Sequence, residues 1–511
     1  MSSPSGFGIN NHVPSHLLQN DLLCLVPVDV PQQTKLCSSF SSVRVPVSPF
    51  HLYSRSNIPT PIMKRALCAS LSLLAAAVAQ QVGTTEQEVH PKMTWKKCSS
   101  GGSCSTVNGE VVIDGNWRWI HNIGGYENCY SGNKWTNVCS TNADCATKCA
   151  MEGAKYSETY GVSTSGDALT LKFVQQNSSG KNVGSRMYLM NGSDKYQMFT
   201  LKNNEFAFDV DLSTVECGMN SALYFVPMKE DGGMSTEPNN KAGAKYGTGY
   251  CDAQCARDLK FIGGKGNIEG WQPSSTDSSA GIGAQGACCA EIDIWESNKN
   301  AFAFTPHPCE NNEYHVCTEP NCGGTYADDR YGGGCDANGC DYNPYRMGNP
   351  DFYGPGKTID TNRKFTVISR FENNRNYQIL MQDGVAHRIP GPKFEGLEGE
   401  TGELNEQFCT DQFTIFDERN RFNEVGGWSQ LNAAYDIPMV LVMSIWSDHF
   451  ANMLWLDSTY PPEKAGQPGS ARGPCPADGG DPNGVVNQYP NAKVIWSNIR
   501  FGPIGSTYQV D

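Results

Sequence analysis

From about residue 80 onward, the chain is dominated by short runs in which hydrophobic and polar residues alternate. Few segments show a long apolar period of 3.6 residues, so few helices are expected. Alternating runs separated by Gly, Asn, Asp and Pro are typical of antiparallel strands with one buried face. The clearest predicted strands cover residues 169–174, 205–212, 222–227, 291–295, 364–371, 439–445 and 493–501.

The predicted strands belong to one large domain. No linker, repeat or low-complexity segment interrupts the pattern between residues 80 and 505. A domain of this size is large for a single hydrophobic core, but long loops on a β-sandwich would account for its length. The sequence therefore predicts one all-β sandwich of antiparallel strands over residues 80–511. No Ser-, Thr- and Pro-rich tail follows Gly505, so no appended module is expected.

The amino-terminal region resembles a secretory signal preceded by unrelated sequence. Residues 1–62 are rich in Ser and Pro and show no hydrophobic period, so we expect disordered upstream sequence outside the native protein. Residues 63–79 combine a positively charged start, a short apolar core and a small-residue cleavage motif, the features of a signal peptide. This apolar core is too short to span a membrane. Synthesis is expected to start at Met63, and the secreted chain to begin near Gln80.

Charge and cysteine content restrict the partners and the compartment. Lys and Arg total 39 against 53 Asp and Glu, and the net charge of −14 argues against a nucleic-acid partner. Three of the 21 cysteines, Cys24, Cys37 and Cys68, precede residue 80, which leaves 18 for nine disulfides in an oxidising compartment. Glycosylation motifs at Asn177 and Asn191 also fit an extracellular protein.

Two motifs superficially resemble metal sites. Cys251 and Cys255 form a CxxxC motif that could bind zinc together with Cys288 and Cys289, but disulfides are favoured in a secreted chain. Residues 336–341 resemble half a calcium loop that lacks the flanking helices and the closing glutamate, so a turn is predicted. No metal and no cofactor are therefore expected.

The strand predicted at residues 291–295 carries unusual chemistry. Glu291 and Asp293 share one face of a strand, and Ile292 and Ile294 occupy the other. Carboxylates on a strand whose other face is buried indicate paired acid/base chemistry, as in glycoside hydrolysis. The alternative is an amphipathic strand with a solvated acidic face, and for an isolated motif that alternative is favoured.

A third carboxylate, Glu296, makes a geometric prediction. On a flat strand it would lie about 16 Å from Glu291 and on the opposite face, because the offset of five residues is odd. A β-bulge near Trp295 would return Glu296 to the same face and bend the strand. Asp293 would then lie beside Glu291 and could share a proton with it.

Aromatic and basic residues offer candidate sugar-binding groups. Trp117, Trp119, Trp446 and Trp455 lie in polar, glycine-rich surroundings, and flat indole rings suit the apolar faces of pyranoses. Core tryptophans are the common alternative. Two arginines in polar loops, Arg330 and Arg346, could donate to sugar hydroxyls or form structural ion pairs.

Several of these runs together resemble glycosyl hydrolase family 7, the secreted fungal cellobiohydrolases and endoglucanases. The sequences that carry the resemblance are AEIDIWE at 290–296, FTPHPC at 304–309, VVIDGNWRW at 111–119, GAKYGTGYC at 243–251, NMLWLDSTY at 452–460 and FGPIGS at 501–506. The resemblance extends from about residue 89 to 505. It implies a concanavalin-like β-jelly-roll of two curved antiparallel sheets, with long disulfide-linked loops that roof a tunnel for cellulose.

The resemblance also implies roles for individual residues. Retaining hydrolysis would use Glu291 as nucleophile and Glu296 as general acid/base, with Asp293 supporting the nucleophile and His307 in an auxiliary role. The residues implied to bind the glucan are Trp117, Trp119, Asn220, Tyr224, Tyr250, Asp252, Gln254, Thr325, Tyr326, Arg330, Arg346, Trp446, Trp455, Tyr460 and Arg472.

The family's disulfide pattern uses all 18 remaining cysteines. The implied pairs are Cys98–Cys104, Cys129–Cys149, Cys139–Cys145, Cys217–Cys475, Cys251–Cys289, Cys255–Cys288, Cys309–Cys335, Cys317–Cys322 and Cys340–Cys409.

Loop content favours exo-acting hydrolysis. The chain retains the long segments 309–340 and 270–283, which resemble the tunnel-roofing loops of a cellobiohydrolase that releases cellobiose from reducing ends. Asn338 and His449 depart from the Asp and Tyr that cellobiohydrolases commonly carry. The alternatives are an endo-β-1,4-glucanase of the same family and, remotely, a non-catalytic carbohydrate-binding protein. The expected partner is a cellulose chain or a cello-oligosaccharide, bound by a monomer without membrane association.

Overall fold

The computed structural model describes residues 80–509. The predicted upstream sequence and signal peptide lie outside the described residues, as do Cys24, Cys37 and Cys68. Among residues 80–509, no helix is long and apolar enough to cross a membrane.

Sixteen strands form one hydrogen-bonded sheet system. Each clear strand predicted from alternation is present, with bounds shifted by at most a few residues. In chain order the strands are β1 Lys92–Cys98, β2 Cys104–Ile113, β3 Val162–Ser165, β4 Ala168–Lys172, β5 Ser185–Met190, β6 Met198–Phe199, β7 Asn204–Asp211, β8 Met219–Val226, β9 Glu291–Ser297, β10 Phe302–His307, β11 Phe365–Phe371, β12 Asn376–Gln382, β13 Val385–Arg388, β14 Glu403–Leu404, β15 Met439–Ser447 and β16 Lys493–Pro503.

The strand order along the main path is β10-β9-β8-β15-β5-β2-β1-β16-β7-β11-β12-β13. Neighbours on this path are antiparallel except β1 and β16, which pair in parallel at Lys96↔Arg500 and Lys97↔Phe501. This short pairing joins the two predicted sheets into one continuous system that folds back on itself. The predicted β-jelly-roll is confirmed, with its two layers linked by hydrogen bonds along this seam.

The core lies between the two layers. Phe206 of β7 meets Phe225 of β8 edge to face at 5.1 Å between ring centroids. Phe208 of β7 meets Trp295 of β9 at 6.1 Å. These rings are almost fully buried, and such large aromatic contacts contribute much of the favourable free energy of folding.

Short elements occupy the long connections. Seven helices are described: α1 Asn142–Lys148, α2 Tyr156–Tyr160, α3 Glu406–Ile415, α4 Arg421–Glu424, α5 Gly427–Ala434, α6 Leu454–Asp457 and α7 Pro482–Gln488. Single 3₁₀ turns cover Gly115–Trp117, Ala244–Tyr246 and Pro462–Lys464. A three-stranded sheet contains Gln81–Val82, Cys149–Met151 and Ile120–Asn122. The remaining two-stranded pairs are Tyr130–Ser131 with Lys134–Trp135, Val174–Asn177 with Gly180–Val183, Phe261–Ile262 with Lys265–Gly266, Gln272–Pro273 with Gly281–Ile282, Gln285–Cys288 with His315–Thr318, Tyr353–Gly354 with Ile359–Asp360, and Lys393–Phe394 with Leu397–Glu398.

Nine disulfides hold these loops. Within residues 80–509 the cysteines join in the same nine pairs that the family resemblance implies. Of the two glycosylation motifs, Asn191 is exposed, whereas Asn177 is partly buried and donates to the Thr159 carbonyl at 3.2 Å.

The longest disulfide loop is expected to contribute most to stability. Cys217 and Cys475 are 258 residues apart, whereas Cys98 and Cys104 are 6 apart. Loop entropy assigns about 5 kcal/mol to the first bridge and about 2 kcal/mol to the second. Replacing Cys217 and Cys475 by Ser should lower the melting temperature by about 5 °C, and the matched Cys98/Cys104 variant by about half as much. Equal losses in thermal unfolding would contradict this order.

Candidate active site

A β-bulge in β9 brings three carboxylates to one face. Against β8, Leu223 pairs with Trp295 and Tyr224 with Asp293, so Ile294 has no partner of its own. The register with β10 shifts between the same residues. Ile294 and Trp295 are both buried in the core, so the alternation of side chains between the two faces of the strand resumes after one extra residue. The bulge predicted near Trp295 is confirmed. It leaves the following side chains on the face opposite the core: Glu291, Asp293 and Glu296.

Glu291 lies beside a loop fixed by two disulfides. The Ala253 N–H donates to Glu291 Oε2 at 3.1 Å. Bridges Cys251–Cys289 and Cys255–Cys288 join this loop to the two cysteines that precede Ala290 and the start of β9. The donor is therefore held in place by covalent links on either side, and it favours the ionised form of the carboxyl.

Glu296 is oriented by an amide on the neighbouring strand. Asn220 Oδ1 accepts the Ser297 N–H at 2.9 Å, so its Nδ2 is directed at Glu296 Oε1, 3.0 Å away. Asn220 is completely buried. Because a backbone donor fixes which way the amide faces, Asn220 can only donate to Glu296.

His307 on β10 lies beside the three carboxylates and contacts Asp293. Its Nδ1 lies 2.9 Å from the Asp336 carbonyl and its Nε2 lies 3.0 Å from Asp293 Oδ2. A carbonyl only accepts, so Nδ1 carries hydrogen. One proton then occupies the gap between Nε2 and Asp293, on either the ring or the carboxyl. His307 therefore links Asp293 to a fixed backbone acceptor.

Burial perturbs all three carboxyls. Glu291, Asp293 and Glu296 are each less than a tenth exposed. Loss of hydration raises the pKa of each well above its usual range, and negative neighbours raise each further: Asp293 for Glu291 and Glu296, and Asp252 for Asp293. Carboxyls so enclosed cannot all be ionised, so they share protons. Within the Glu291–Asp293 pair, the Ala253 N–H favours the negative charge on Glu291.

A continuous row of side chains extends from this group toward Trp119. Tyr224 on β8, opposite Asp293, shares a hydrogen bond with Tyr250 between their hydroxyls at 2.9 Å. Arg186 on β5 lies over the Tyr250 ring at 3.4 Å and over the Trp117 ring at 5.4 Å. The structure thus places the predicted Trp117, Tyr224 and Tyr250 in one line.

Trp119 follows Trp117 by two residues in the chain and has its own fixed contacts. Its ring stacks on His121 with 4.0 Å between centroids, and its Nε1 donates to Asn128 Oδ1 at 2.7 Å. One indole is therefore held in a fixed orientation while remaining partly exposed. Such a platform suits the apolar face of a sugar ring.

Two tryptophans continue the row beyond the carboxylates. Trp446 on β15 pairs with Asn220, the residue that orients Glu296. Trp446 and Trp455 stack with 6.3 Å between centroids, and Trp455 Nε1 donates to Asp448 Oδ2 at 3.0 Å. Both rings are partly exposed, as predicted binding residues should be.

Polar groups lie beside the same end of the row. Thr325 Oγ1 donates to Gln254 Oε1 at 2.9 Å, and Arg330 Nη1 donates to Thr325 Oγ1 at 3.2 Å. Arg472 lies over the Tyr460 ring at 5.9 Å, and burial lowers its pKa to about 10. Asp252 accepts the Ala256 N–H at 3.1 Å, and burial raises its pKa to about 6. The preceding contact and shift belong to Asp252 itself. The charge of Asp252 acts on Glu291 and helps to raise the pKa of that carboxyl.

Arg346, one of the residues predicted to bind the glucan, is held by ion pairs inside the protein. It is almost fully buried, and its guanidinium pairs with Asp341 and with Glu418 at 2.5 Å. Its Nε donates to the Gly469 carbonyl at 2.9 Å. Arg472 pairs with the same two carboxylates, so the two arginines belong to one ion-pair network.

Loops from different parts of the chain contact one another beside the row. Tyr326 meets Phe450 edge to face with 5.2 Å between centroids. His449 Nδ1 lies 3.0 Å from the Thr276 carbonyl, and its Nε2 lies 3.8 Å from Asp277 Oδ2. The segments around residues 276, 326 and 449 are therefore connected by direct contacts.

Two basic residues were not among those predicted from the sequence: Arg186, which contacts the row, and Lys260, which lies near Tyr130. Arg186 could have been identified from the sequence, because it is the one cation in the otherwise apolar run Ser185–Met190. It lies on the same strand face as Tyr188. Lys260 Nζ donates to the Asn116 carbonyl and lies 4.8 Å over the Tyr130 ring, and burial lowers its pKa to about 8. It follows no strand pattern, so no periodic signal could identify it.

Within the described residues, three groups have ligand atoms spaced as a metal would require, and the group of Cys217, Asp457 and Cys475 has both of its cysteines in one disulfide. Glu291, Asp293 and His307 bring such atoms within 4.8 Å of one another, but hydrogen bonds already account for that proximity. Cys255 and Cys288 form a second group with Cys317, and all three are in disulfides and offer no free thiolate. The arrangement of Glu291 and Glu296 instead provides two carboxyls with fixed donors, the equipment of acetal hydrolysis.

Comparison with known proteins agrees with this chemistry. Solved structures similar to this chain include a cellobiohydrolase from Melanocarpus albomyces complexed with cellotetraose, at 66% identity and a TM-score of 0.83. A family 7 cellobiohydrolase from Daphnia pulex is 43% identical with a TM-score of 0.81. The endocellulase EGI of Humicola insolens is 34% identical with a TM-score of 0.70. Each alignment covers 84% of this chain and 100% of the other.

The model of glycosyl hydrolase family 7 matches residues 82–508, nearly the whole of the described chain. The match includes β9 with its bulge and the loops that carry the aromatic row. The chain therefore belongs to glycosyl hydrolase family 7.

Proposed function

We propose that this protein is a secreted, retaining cellobiohydrolase that hydrolyses β-1,4-glucosidic bonds of cellulose from the reducing end and releases cellobiose. The observation that carries the proposal is the β9 bulge, which puts Glu291, Asp293 and Glu296 on one face beside a row of aromatic side chains.

The first chemical step uses Glu291 as nucleophile. Its carboxylate attacks the anomeric carbon while Glu296 gives its proton to the leaving oxygen, so the glycosidic bond breaks as a glycosyl ester forms. The Ala253 N–H supports the charge on Glu291 before attack. The proton shared by Asp293 and His307 keeps a second full negative charge from developing beside the nucleophile.

The second step releases the sugar. Glu296, now ionised, takes a proton from water, and the resulting hydroxide attacks the anomeric carbon and frees Glu291. Asn220 holds the Glu296 carboxyl in the same place in both steps, because its amide direction is fixed by Ser297. Two displacements return the configuration of the starting bond.

Contacts between loops favour the exo-acting alternative over an endoglucanase. Tyr326 with Phe450, and His449 with Thr276, would enclose a glucan lying along the aromatic row. An enclosed chain leaves slowly, so successive cuts release the same short product. The 66% identity to a cellobiohydrolase, against 34% to an endocellulase, supports the same choice.

Secretion is supported by nine disulfides, which persist in oxidising compartments. The proposed export signal remains the segment 63–79, and Asn177 and Asn191 remain proposed glycosylation sites.

The soluble products of crystalline cellulose test the proposal. The secreted enzyme should yield cellobiose as the main product from the earliest times, with little loss of viscosity in soluble carboxymethylcellulose. Rapid viscosity loss with a spread of oligosaccharides would favour the endoglucanase. Cellulose binding without any soluble sugar would favour a non-catalytic binding protein.

A further inference from the structure

Arg330 is a cation without an anionic partner in contact. Its Nε donates to Asn338 Oδ1 at 2.7 Å, its Nη1 to Thr325 Oγ1 at 3.2 Å and its Nη2 to the Ala337 carbonyl at 2.7 Å. All three acceptors are neutral. In the part of the chain that the structure describes, no carboxylate lies within 4.0 Å of this guanidinium, although it is partly buried.

The neighbouring arginines are paired. Arg346 and Arg472 share Asp341 and Glu418. Tyr460 acts electrostatically on both Arg330 and Arg472, so the two cations belong to one cluster. Among these three arginines, Arg330 alone has only neutral acceptors within the described residues.

Two carboxylates, Asp448 and Asp336, act on Arg330 from further away and accept hydrogen bonds from other groups. Asp448 accepts the Phe450 N–H at 2.8 Å and the Trp455 Nε1–H at 3.0 Å. Asp336 accepts the Asn338 N–H at 3.2 Å, and burial raises its pKa, which weakens its charge. Neither accepts a hydrogen bond from Arg330.

The guanidinium keeps hydrogen-bonding capacity for a ligand. It has five N–H groups, of which the three contacts above use three. One N–H remains on each terminal nitrogen, and a pair of such donors matches the two oxygens of a carboxylate. A sugar hydroxyl can use one of these donors but cannot neutralise the charge.

Asn338 is the residue that leaves Arg330 unneutralised. Arg330 Nε only donates, so Asn338 presents its Oδ1 to the arginine and its Nδ2 to the Tyr331 hydroxyl at 2.9 Å. A carboxylate in the same place would be isosteric, would pair with Arg330, and could accept from Tyr331 instead.

We propose that the Arg330–Asn338 pair forms a carboxylate-binding subsite that accepts the aldonic-acid end of an oxidised cello-oligosaccharide. This rests on the proposed function, and on a reducing-end product that lies at the end of the row beside Thr325 and Arg330. In an aldonate, C1 of that sugar is a carboxylate, so it supplies both the charge and the paired oxygens that Arg330 lacks. The oxidised disaccharide therefore binds more tightly than cellobiose.

Titration calorimetry at pH 6 with cellobiose and with cellobionate tests the subsite. The protein carries Glu291→Gln so that neither sugar is turned over. We expect cellobionate to bind about fivefold to tenfold more tightly than cellobiose, as charge-assisted hydrogen bonds exceed neutral ones. Rising salt should reduce this preference.

Two added variants separate the subsite from general electrostatics. Asn338→Asp should abolish the preference or reverse it. Asn374→Asp adds the same charge at an exposed position in the β11–β12 connection and should leave the preference intact. Equal affinity for both sugars in the parent protein, or a preference unchanged by Asn338→Asp, would overturn the inference. Failure to bind either sugar would instead overturn the proposed function on which it rests.

Discussion

Replacing Glu291 by Gln should lower kcat by about 10⁴-fold or more on cellulose and on chromogenic lactosides alike, as expected for loss of a covalent nucleophile. The amide has nearly the same shape and can still face the Ala253 N–H, so folding should be preserved. The loss should be independent of the leaving group, because no substrate can form the glycosyl ester without the carboxylate. Steady-state kinetics on both substrates measures it.

A matched control is Glu424→Gln, which removes an exposed carboxylate that pairs with Arg419. It should leave turnover within about twofold, since exposed ion pairs contribute little. Near-normal turnover by Glu291→Gln on the lactoside would remove Glu291 from the chemistry. Adding azide to a Glu291→Ala variant offers a second measurement, because a small anion can replace the missing nucleophile and give a product of inverted configuration.

The second large effect is expected at Glu296, and it should depend on the leaving group. Glu296→Gln should lower kcat on cellulose by about 10²–10⁴-fold, the range for loss of a general acid. On a substrate whose leaving group needs no proton, the first step should survive and the second step should become limiting. A burst of released chromophore followed by slow turnover would report this pattern.

The pH dependence of Glu296→Gln provides an independent measurement. Burial raises the pKa of Glu296, so the wild-type acid stays protonated in the mildly acidic range and activity falls as pH rises through that raised value. The variant cannot lose this proton, so the alkaline fall of its first step should disappear. An unchanged alkaline limb would assign the titration to another group.

The sequence predicts the strands and the β9 bulge because both follow from periodicity. Residues 291, 293 and 296 need an extra residue to share a face, and the buried pair Ile294–Trp295 provides it. A strand with one buried face alternates hydrophobic and polar residues. This pattern predicts the strand even when the neighbouring strand is not known. Disulfide pairing, by contrast, follows from the family resemblance, because the spacing of the cysteines alone leaves many connectivities open.

The remaining features depend on residues far apart in the chain. Arg346 was expected at the sugar, but its partner Glu418 lies 72 positions away, and no local pattern indicates that ion pair. The seam between β1 and β16 pairs residues separated by some four hundred positions. Arg186 belongs to the row only because Tyr250, from a distant loop, lies beneath it.

The configuration of the first-formed product tests the central claim, that Glu291 and Glu296 act together across one bond on the bulged face of β9. Proton NMR during early hydrolysis of a soluble cello-oligosaccharide follows the anomeric signal before mutarotation. We expect the β-anomer to appear first, because two displacements retain configuration. Initial appearance of the α-anomer would mean a single displacement by water and would contradict the assignment of Glu291 as nucleophile.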